Sequence, residues 1–128
     1  MSLHGDPMGT YPRFLTHSDE IGKGRGTGFN VKLPIPPGTP FGVWRQALAE
    51  GLSRIDAFGA DALVVSLEVD TSKNDPISFF KLKTADFTHC GADIAKHCFP
   101  ALFVMEGGYD VEEIGVNAVN VLAGFEGY

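Results

Sequence analysis

The chain is predicted to fold as an α/β domain, a three-layer αβα arrangement with a parallel sheet between helices. Three observations lead there. Two continuous apolar runs, 62–67 and 100–105, have the pattern of strands buried on both faces of a sheet. Segments of helical periodicity precede, separate and follow these runs, and that alternation implies right-handed crossovers between parallel strands. The 128 residues suffice for one core and one domain.

Each element has a local reason. Residues 1–28 are dense in Gly, Pro, His and Asp without lasting periodicity, which predicts an irregular loop-rich segment. Gly28 to Pro34 alternates well enough for a strand, and Pro34, Pro36, Pro37 and Gly38 stop it. From Phe41 to Phe58, Val43, Trp44, Ala47, Leu48, Leu52, Ile55 and Phe58 recur at three- and four-residue steps, the spacing of a helix that Gly59 ends. Ala62 to Leu67 is the first buried strand. Thr84 is placed to cap a helix running to about Cys98. Pro100 to Met105 is the second buried strand. A last helix, Glu112 to Ala123, carries Ile114, Val116, Val119, Val121 and Leu122 on or near its buried side.

Composition narrows the function. The net charge is −6 and no stretch concentrates Lys or Arg, so the electrostatic footprint of a nucleic-acid binder is missing. No apolar run approaches the roughly 20 residues that span a bilayer, and no charged-then-apolar leader opens the chain. A cytoplasmic protein without membrane contact is expected. Cys90 and Cys98 fall eight positions apart in one predicted helix, too far along its axis for a disulfide, and are expected to be reduced. The His89–Cys90 and His97–Cys98 pairs lack the three- or four-residue spacing of a helical metal site, so they read as packing and surface residues. The glycines at 22, 24, 26 and 28 open a strand rather than a helix, which makes them a connector and not a phosphate loop.

Two polar segments stand out. Val69 to Asp75 follows the first buried strand, and Glu106-Gly-Gly-Tyr109 follows the second. Ligands of parallel α/β sheets bind outside the carboxyl ends of the strands. Asp70 and Tyr109 are therefore expected to share one cleft.

Four segments carry a family likeness: Leu63-Val-Val-Ser-Leu-Glu-Val-Asp-Thr71, Asn74-Asp-Pro-Ile-Ser-Phe-Phe80, Phe103-Val-Met-Glu-Gly-Gly-Tyr109 and Glu113 to Leu122. With Ser2-Leu-His-Gly-Asp-Pro7 and Asp19-Glu-Ile-Gly22, they resemble the C-terminal half of the histone deacetylase superfamily, nearest to the bacterial acetylpolyamine amidohydrolases. The resemblance implies an arginase and deacetylase type of fold, present in part, and zinc-dependent hydrolysis of an N-acetyl amide. The substrate class would be an acetylated polyamine or acetyl-lysine, and Glu106 leans toward the polyamine subgroup. Asp70 matches a zinc ligand of the family. Asp75, before Pro76, is its rival, and the interval to Tyr109 favours Asp70. Tyr109 matches the catalytic tyrosine, which polarises the carbonyl and stabilises the oxyanion; phenols are neutral donors at pH 7.

Gly107 and Gly108 would let the backbone turn tightly beside the substrate. Tyr11 and Phe14 resemble a loop whose aromatic ring lines the substrate tunnel, although two loop aromatics packed on the surface explain them equally. Ser2 and Leu3 match a segment that holds a structural potassium ion, with Phe29 near a second such site. Two departures matter. Glu68 stands where relatives have glycine. The family's Asp-x-His zinc pair and paired histidines have no counterpart in this chain, and His4, His17, His89 and His97 do not replace them. The expectation is a truncated deacetylase domain, inactive by itself, or a non-catalytic half that forms a homodimer or takes a partner chain over its open sheet edge.

Overall fold

The first pair of strands forms where composition argues least for one. In the computed structural model, which describes residues 1–10 and 14–128, β1 (Ser2–Gly5) runs parallel to β2 (Lys32–Ile35), with Ser2 opposite Lys32 and Gly5 opposite Ile35. The 1–28 segment is thus not loop throughout, and a 3-10 turn at Gly24–Gly26 is a second ordered piece within it. β1 escapes prediction because Ser-Leu-His-Gly offers one apolar side chain, Leu3, which packs against the core. Pro34 lies inside β2, and a strand with a single partner tolerates it because one edge needs no donor.

Helix α1 (Phe41–Phe58) has the predicted bounds, and Gly59 ends it in the left-handed conformation, φ 75°, with its N–H returning to the carbonyl of Asp56. Leu48 and Leu52 are buried, with Phe41, Trp44, Ala47 and Ile55 packed beside them. Val43 and Phe58 are exposed instead, and Phe58 meets the ring of Phe29 edge-on at 5.5 Å.

β3 (Leu63–Glu68) and β4 (Ala101–Gly107) form a second parallel pair, while α2 (Thr84–Ala95) and α3 (Ile114–Glu126) pack against each other. Among the described residues the four strands make two two-stranded sheets rather than one, because β2 takes β1 as its partner and not β3. Burial on both faces does not hold either. Alternate residues Val64, Leu102 and Val104 are exposed, at 66, 59 and 40%. Leu63, Val65 and Phe103 face the core. The outer face has the composition of a covered surface and no cover from this chain's described residues.

The helix starts and faces also differ from expectation. Lys83, not Thr84, caps α2, and the Asp86 carboxyl reaches back to accept from the Lys83 N–H at 2.7 Å. α2 ends at Ala95, leaving Cys98 beyond it. Both cysteines are free, and burial pushes the Cys90 thiol up to about 12, which keeps it protonated. On α3 the buried stripe is Asn117, Val121 and Gly124, with Ile114 partly buried. Val116, Val119 and Leu122 point outward. Apolar residues on every side of α3 leave its inner face undefined by sequence alone.

Glycines set that inner face. A methyl group on Gly91 would collide with the Val121 carbonyl oxygen, and one on Gly124 with the Thr88 carbonyl oxygen, so α2 and α3 meet backbone to backbone at both positions. Across the other side of α2, Arg45 of α1 donates to both carboxyl oxygens of Asp93, one bond at 2.8 Å. That pairing, opposed in part by burial and aided by Lys96, holds the Asp93 carboxyl down at about 2.

Gly124→Ala forces the helices apart and is expected to destabilise the fold by about 1–3 kcal/mol. Urea unfolding of wild type and variant checks this. An unchanged midpoint would show that the helices are not in backbone contact.

Candidate active site

The site is built by the carboxyl ends of β3 and β4. Their register runs in step from Leu63 opposite Ala101 to Leu67 opposite Met105, then slips so that Glu68 faces Gly107. Glu106 is the extra residue of a β-bulge, a device that bends a strand and re-aims the side chains beyond it. Its carboxyl accepts from the Ser66 hydroxyl at 3.1 Å. The Val69 N–H donates to the Gly107 carbonyl at 2.9 Å, which carries the pairing past the end of β3. Asp70 and Tyr109 therefore leave the same end of adjacent strands, as the sequence order predicts.

The two glycines between them are used differently. Gly107 lies close under the acidic side chains: a methyl there would stand 3.0 Å from Glu68 Cγ and 3.4 Å from Asp70 Oδ2. Gly108 adopts φ 145°, and a methyl would stand 2.7 Å from Val69 Cγ2 and 2.9 Å from Ile114 Cδ1. Both the conformation and the space exclude a side chain at Gly108. Tyr109 follows and is 56% exposed.

Asp70 is electrostatically uncomfortable. Burial pushes its carboxyl up from 3.8 to about 6, and the carboxyls of Glu68 and Asp75 push the same way. Glu68 thus lies beside Asp70 and contributes to its field. Asp75 is occupied elsewhere. Its Oδ2 accepts from the Tyr109 N–H at 2.7 Å and the Asp110 N–H at 3.2 Å, and its Oδ1 accepts from the Ile77 N–H at 3.0 Å. With both oxygens engaged by the backbone, Asp75 is the poorer metal ligand of the pair.

Glu113, just before α3, joins the site although the sequence marks it only as the start of a family-like segment. It accepts from Asn74 Nδ2 at 2.8 Å and from the buried Ser72 hydroxyl at 3.3 Å, tying the 72–75 turn to the base of α3. No local pattern announces this role, because its partners are brought to it by the crossover.

The other expected site residues are less connected. Phe14 is 70% exposed with φ 64°, its N–H on the Pro7 carbonyl. Tyr11 lies outside the described residues. Ser2 and Leu3 stand in β1 opposite Lys32 and Leu33, and Phe29 packs on Phe58. His4 is held between Ser2 Oγ at 3.0 Å and the Thr16 carbonyl at 2.8 Å, and His97 lies 2.6 Å from Asp56. Among the described residues no group of three or more His, Cys, Asp or Glu side chains is arranged to hold a metal ion. A tetrahedral zinc site needs at least three protein ligands. Asp70 fits as one of them, and these residues alone do not complete the set.

Two adjacent parallel strand ends on an α/β fold, an acid after one and a tyrosine behind two glycines after the other, form one edge of a candidate site. In comparison with known families, residues 1–125 match the histone deacetylase domain, and the chain belongs to that family. It is 55% identical over 126 residues to acetylpolyamine amidohydrolase 2 of Pseudomonas aeruginosa and 54% identical to the acetylpolyamine amidohydrolase of Mycoplana ramosa, covering 98% of this chain in both cases. The solved acetylpolyamine aminohydrolase of Burkholderia pseudomallei superposes with a TM-score of 0.93 at 37% identity, over 97% of this chain and 36% of that one. The chain spans 37% of the length of the first two relatives. No helix among the described residues is long and apolar enough to cross a membrane.

The raised Asp70 carboxyl has a thermodynamic consequence. The folded state holds this proton more tightly than the unfolded chain, so the group costs stability as pH rises from about 4 to above 6. Asp70→Asn removes that cost: the variant should melt higher than wild type at pH 7, and the two should converge near pH 4. Thermal melts across this range measure the difference, and parallel curves would contradict the placement of Asp70.

Proposed function

We propose that this chain supplies one metal ligand, Asp70, and one oxyanion donor, Tyr109, to a zinc-dependent hydrolysis of N-acetyl amides, with acetylated polyamines or acetyl-lysine as substrates. The observation that carries the reading is the joint position of the two residues at the carboxyl ends of β3 and β4, with Gly107 and Gly108 clearing the backbone between them. The family likeness, strong to acetylpolyamine amidohydrolases, supports the same chemistry.

In hydrolysis, water adds to the amide carbonyl carbon, the C–N bond breaks, and acetate and a protonated amine leave. Zinc, bound by Asp70 with ligands from outside this chain, would polarise the carbonyl and lower the pKa of water. The residues present here have narrower tasks. Tyr109 donates its phenolic hydrogen to the carbonyl oxygen, and the bond strengthens as that oxygen gains charge. Asp70 presents an anionic oxygen. Burial and neighbouring carboxyls disfavour its charge until a cation offsets them. Proton transfer to the leaving amine falls to groups beyond this chain. A potassium ion near Ser2, Leu3 and Phe29 belongs to the same proposal as a structural element.

The test is a chimera in which this chain replaces the matching segment of the Mycoplana ramosa relative. Zinc content should be stoichiometric and fall on Asp70→Ala. Acetylputrescine turnover should fall by about 10²–10³ on Tyr109→Phe. Full turnover by the phenylalanine variant would reject the role of Tyr109. This chain by itself should show neither stoichiometric zinc nor turnover.

A second reading, a non-catalytic domain that pairs with a second copy of itself, is favoured by the exposed apolar residues Val64, Leu102 and Val104 on the outer sheet face. It predicts a homodimer that dissociates on dilution in sedimentation velocity. A monomer at every concentration would remove it.

A further inference from the structure

We infer that Asp75 is the positioning residue for Tyr109: its carboxyl fixes the peptide planes on both sides of the tyrosine and thereby aims the phenol. The inference rests on the proposed role of Tyr109 and adds to it the residue through which that role is set.

Packing does not aim Tyr109, because the residue is more than half exposed. It cannot be aimed by the residue before it either, since Gly108 has no side chain and stands at φ 145°. What remains is the backbone. The N–H groups of Tyr109 and Asp110 converge on one oxygen, Asp75 Oδ2, at 2.7 and 3.2 Å. Two consecutive N–H groups bound to one acceptor fix the orientation of both peptide planes, and with them the direction in which the Cβ of Tyr109 leaves the chain.

The anchor is itself immobile. Asp75 is 6% exposed, its second oxygen is held by the Ile77 N–H, and its own N–H donates to the Ser72 carbonyl at 3.1 Å. Ser72 and Asn74 are in turn bound to Glu113. The 72–77 turn is therefore fastened to the tyrosine loop at one side and to the start of α3 at the other. Asparagine cannot replace the aspartate here. Both carboxyl oxygens accept, so an amide must turn its NH2 toward either Ile77 or the Tyr109 and Asp110 pair, donor against donor.

Two measurements test this. The first is amide hydrogen exchange in this chain. Asp75→Asn should speed exchange at Tyr109 and Asp110 by at least about tenfold while leaving Leu67 and Phe103 in the β3–β4 ladder unchanged. Unchanged exchange at 109 and 110, or equal acceleration everywhere, overturns the inference. The second uses the chimera. Asp75→Asn should lower kcat by about 10²-fold with KM within about threefold, the loss expected from misplacing a reacting group by about 1 Å. Added to Tyr109→Phe it should cost less than about threefold more, because its effect passes through the phenol. Additive losses would mean that Asp75 acts on Asp70 or on the fold, and would overturn the inference. Should Tyr109→Phe alone leave kcat unchanged, the proposed function fails there, and the exchange result still decides whether Asp75 holds the loop.

Discussion

The site depends on a one-residue slip between two parallel strands. β3 and β4 run in step until Leu67 meets Met105, after which Glu68 faces Gly107 and Glu106 is left over. Without the extra residue, the side-chain alternation of β4 would continue and shift every later residue to the opposite face of the sheet. With it, Gly107 lands against Glu68 and Asp70, and Gly108 is pressed between Val69 and Ile114. The two N–H groups that follow this pair, those of Tyr109 and Asp110, are held by Asp75. The bulge thus converts a sheet edge into a loop that begins against β3 and α3 and continues onto the 72–77 turn.

Helices hold the strands in that relation by unusually close approach. α2 and α3 meet at Gly91 and Gly124, where each helix presents a glycine to a carbonyl of the other. Close packing brings the start of α3, with Glu113, over the turn that follows Asp70. The bonds from Ser72 and Asn74 to Glu113 join the loop after β3 to the helix after β4. Helix contact, turn anchoring and tyrosine placement therefore form one chain of dependence, in which the glycines are as much part of the site as the polar groups.

Much of this is legible in the sequence. The bounds of α1 and its glycine stop follow from periodicity, and the positions of β3 and β4 from their apolar runs. Asp70 and Tyr109 at neighbouring strand ends follow from order and from the general placement of ligands in parallel sheets. Other features are not legible, for identifiable reasons. β1 has one apolar residue in four, so no pattern announces it. α3 is apolar around its circumference, so Asn117, Val121 and Gly124 are picked out as the inner stripe by the glycine contact and not by hydrophobicity. Asp75 stands out in the sequence as a rival ligand because it precedes a proline. Its three N–H partners lie at Ile77, Tyr109 and Asp110, and two of them come from a loop that only the fold brings near.

The exposed outer face of the β3–β4 sheet and the raised Asp70 carboxyl are two local costs at one pair of strands. Val64, Leu102 and Val104 have the composition of a covered surface, and Asp70 lies half-buried beside two other carboxyls, yet the described residues provide neither cover nor an offsetting positive charge. A half-buried acid flanked by Glu68 and Asp75 is destabilising when ionised. A protein gains nothing in folding from that arrangement, and such local costs concentrate where a site needs its groups held ready. The chain spans 37% of the length of its first two relatives. The apolar face and the raised carboxyl each leave a requirement unmet among the described residues, apolar contact on the outer sheet face and positive charge at the carboxyl end of β3.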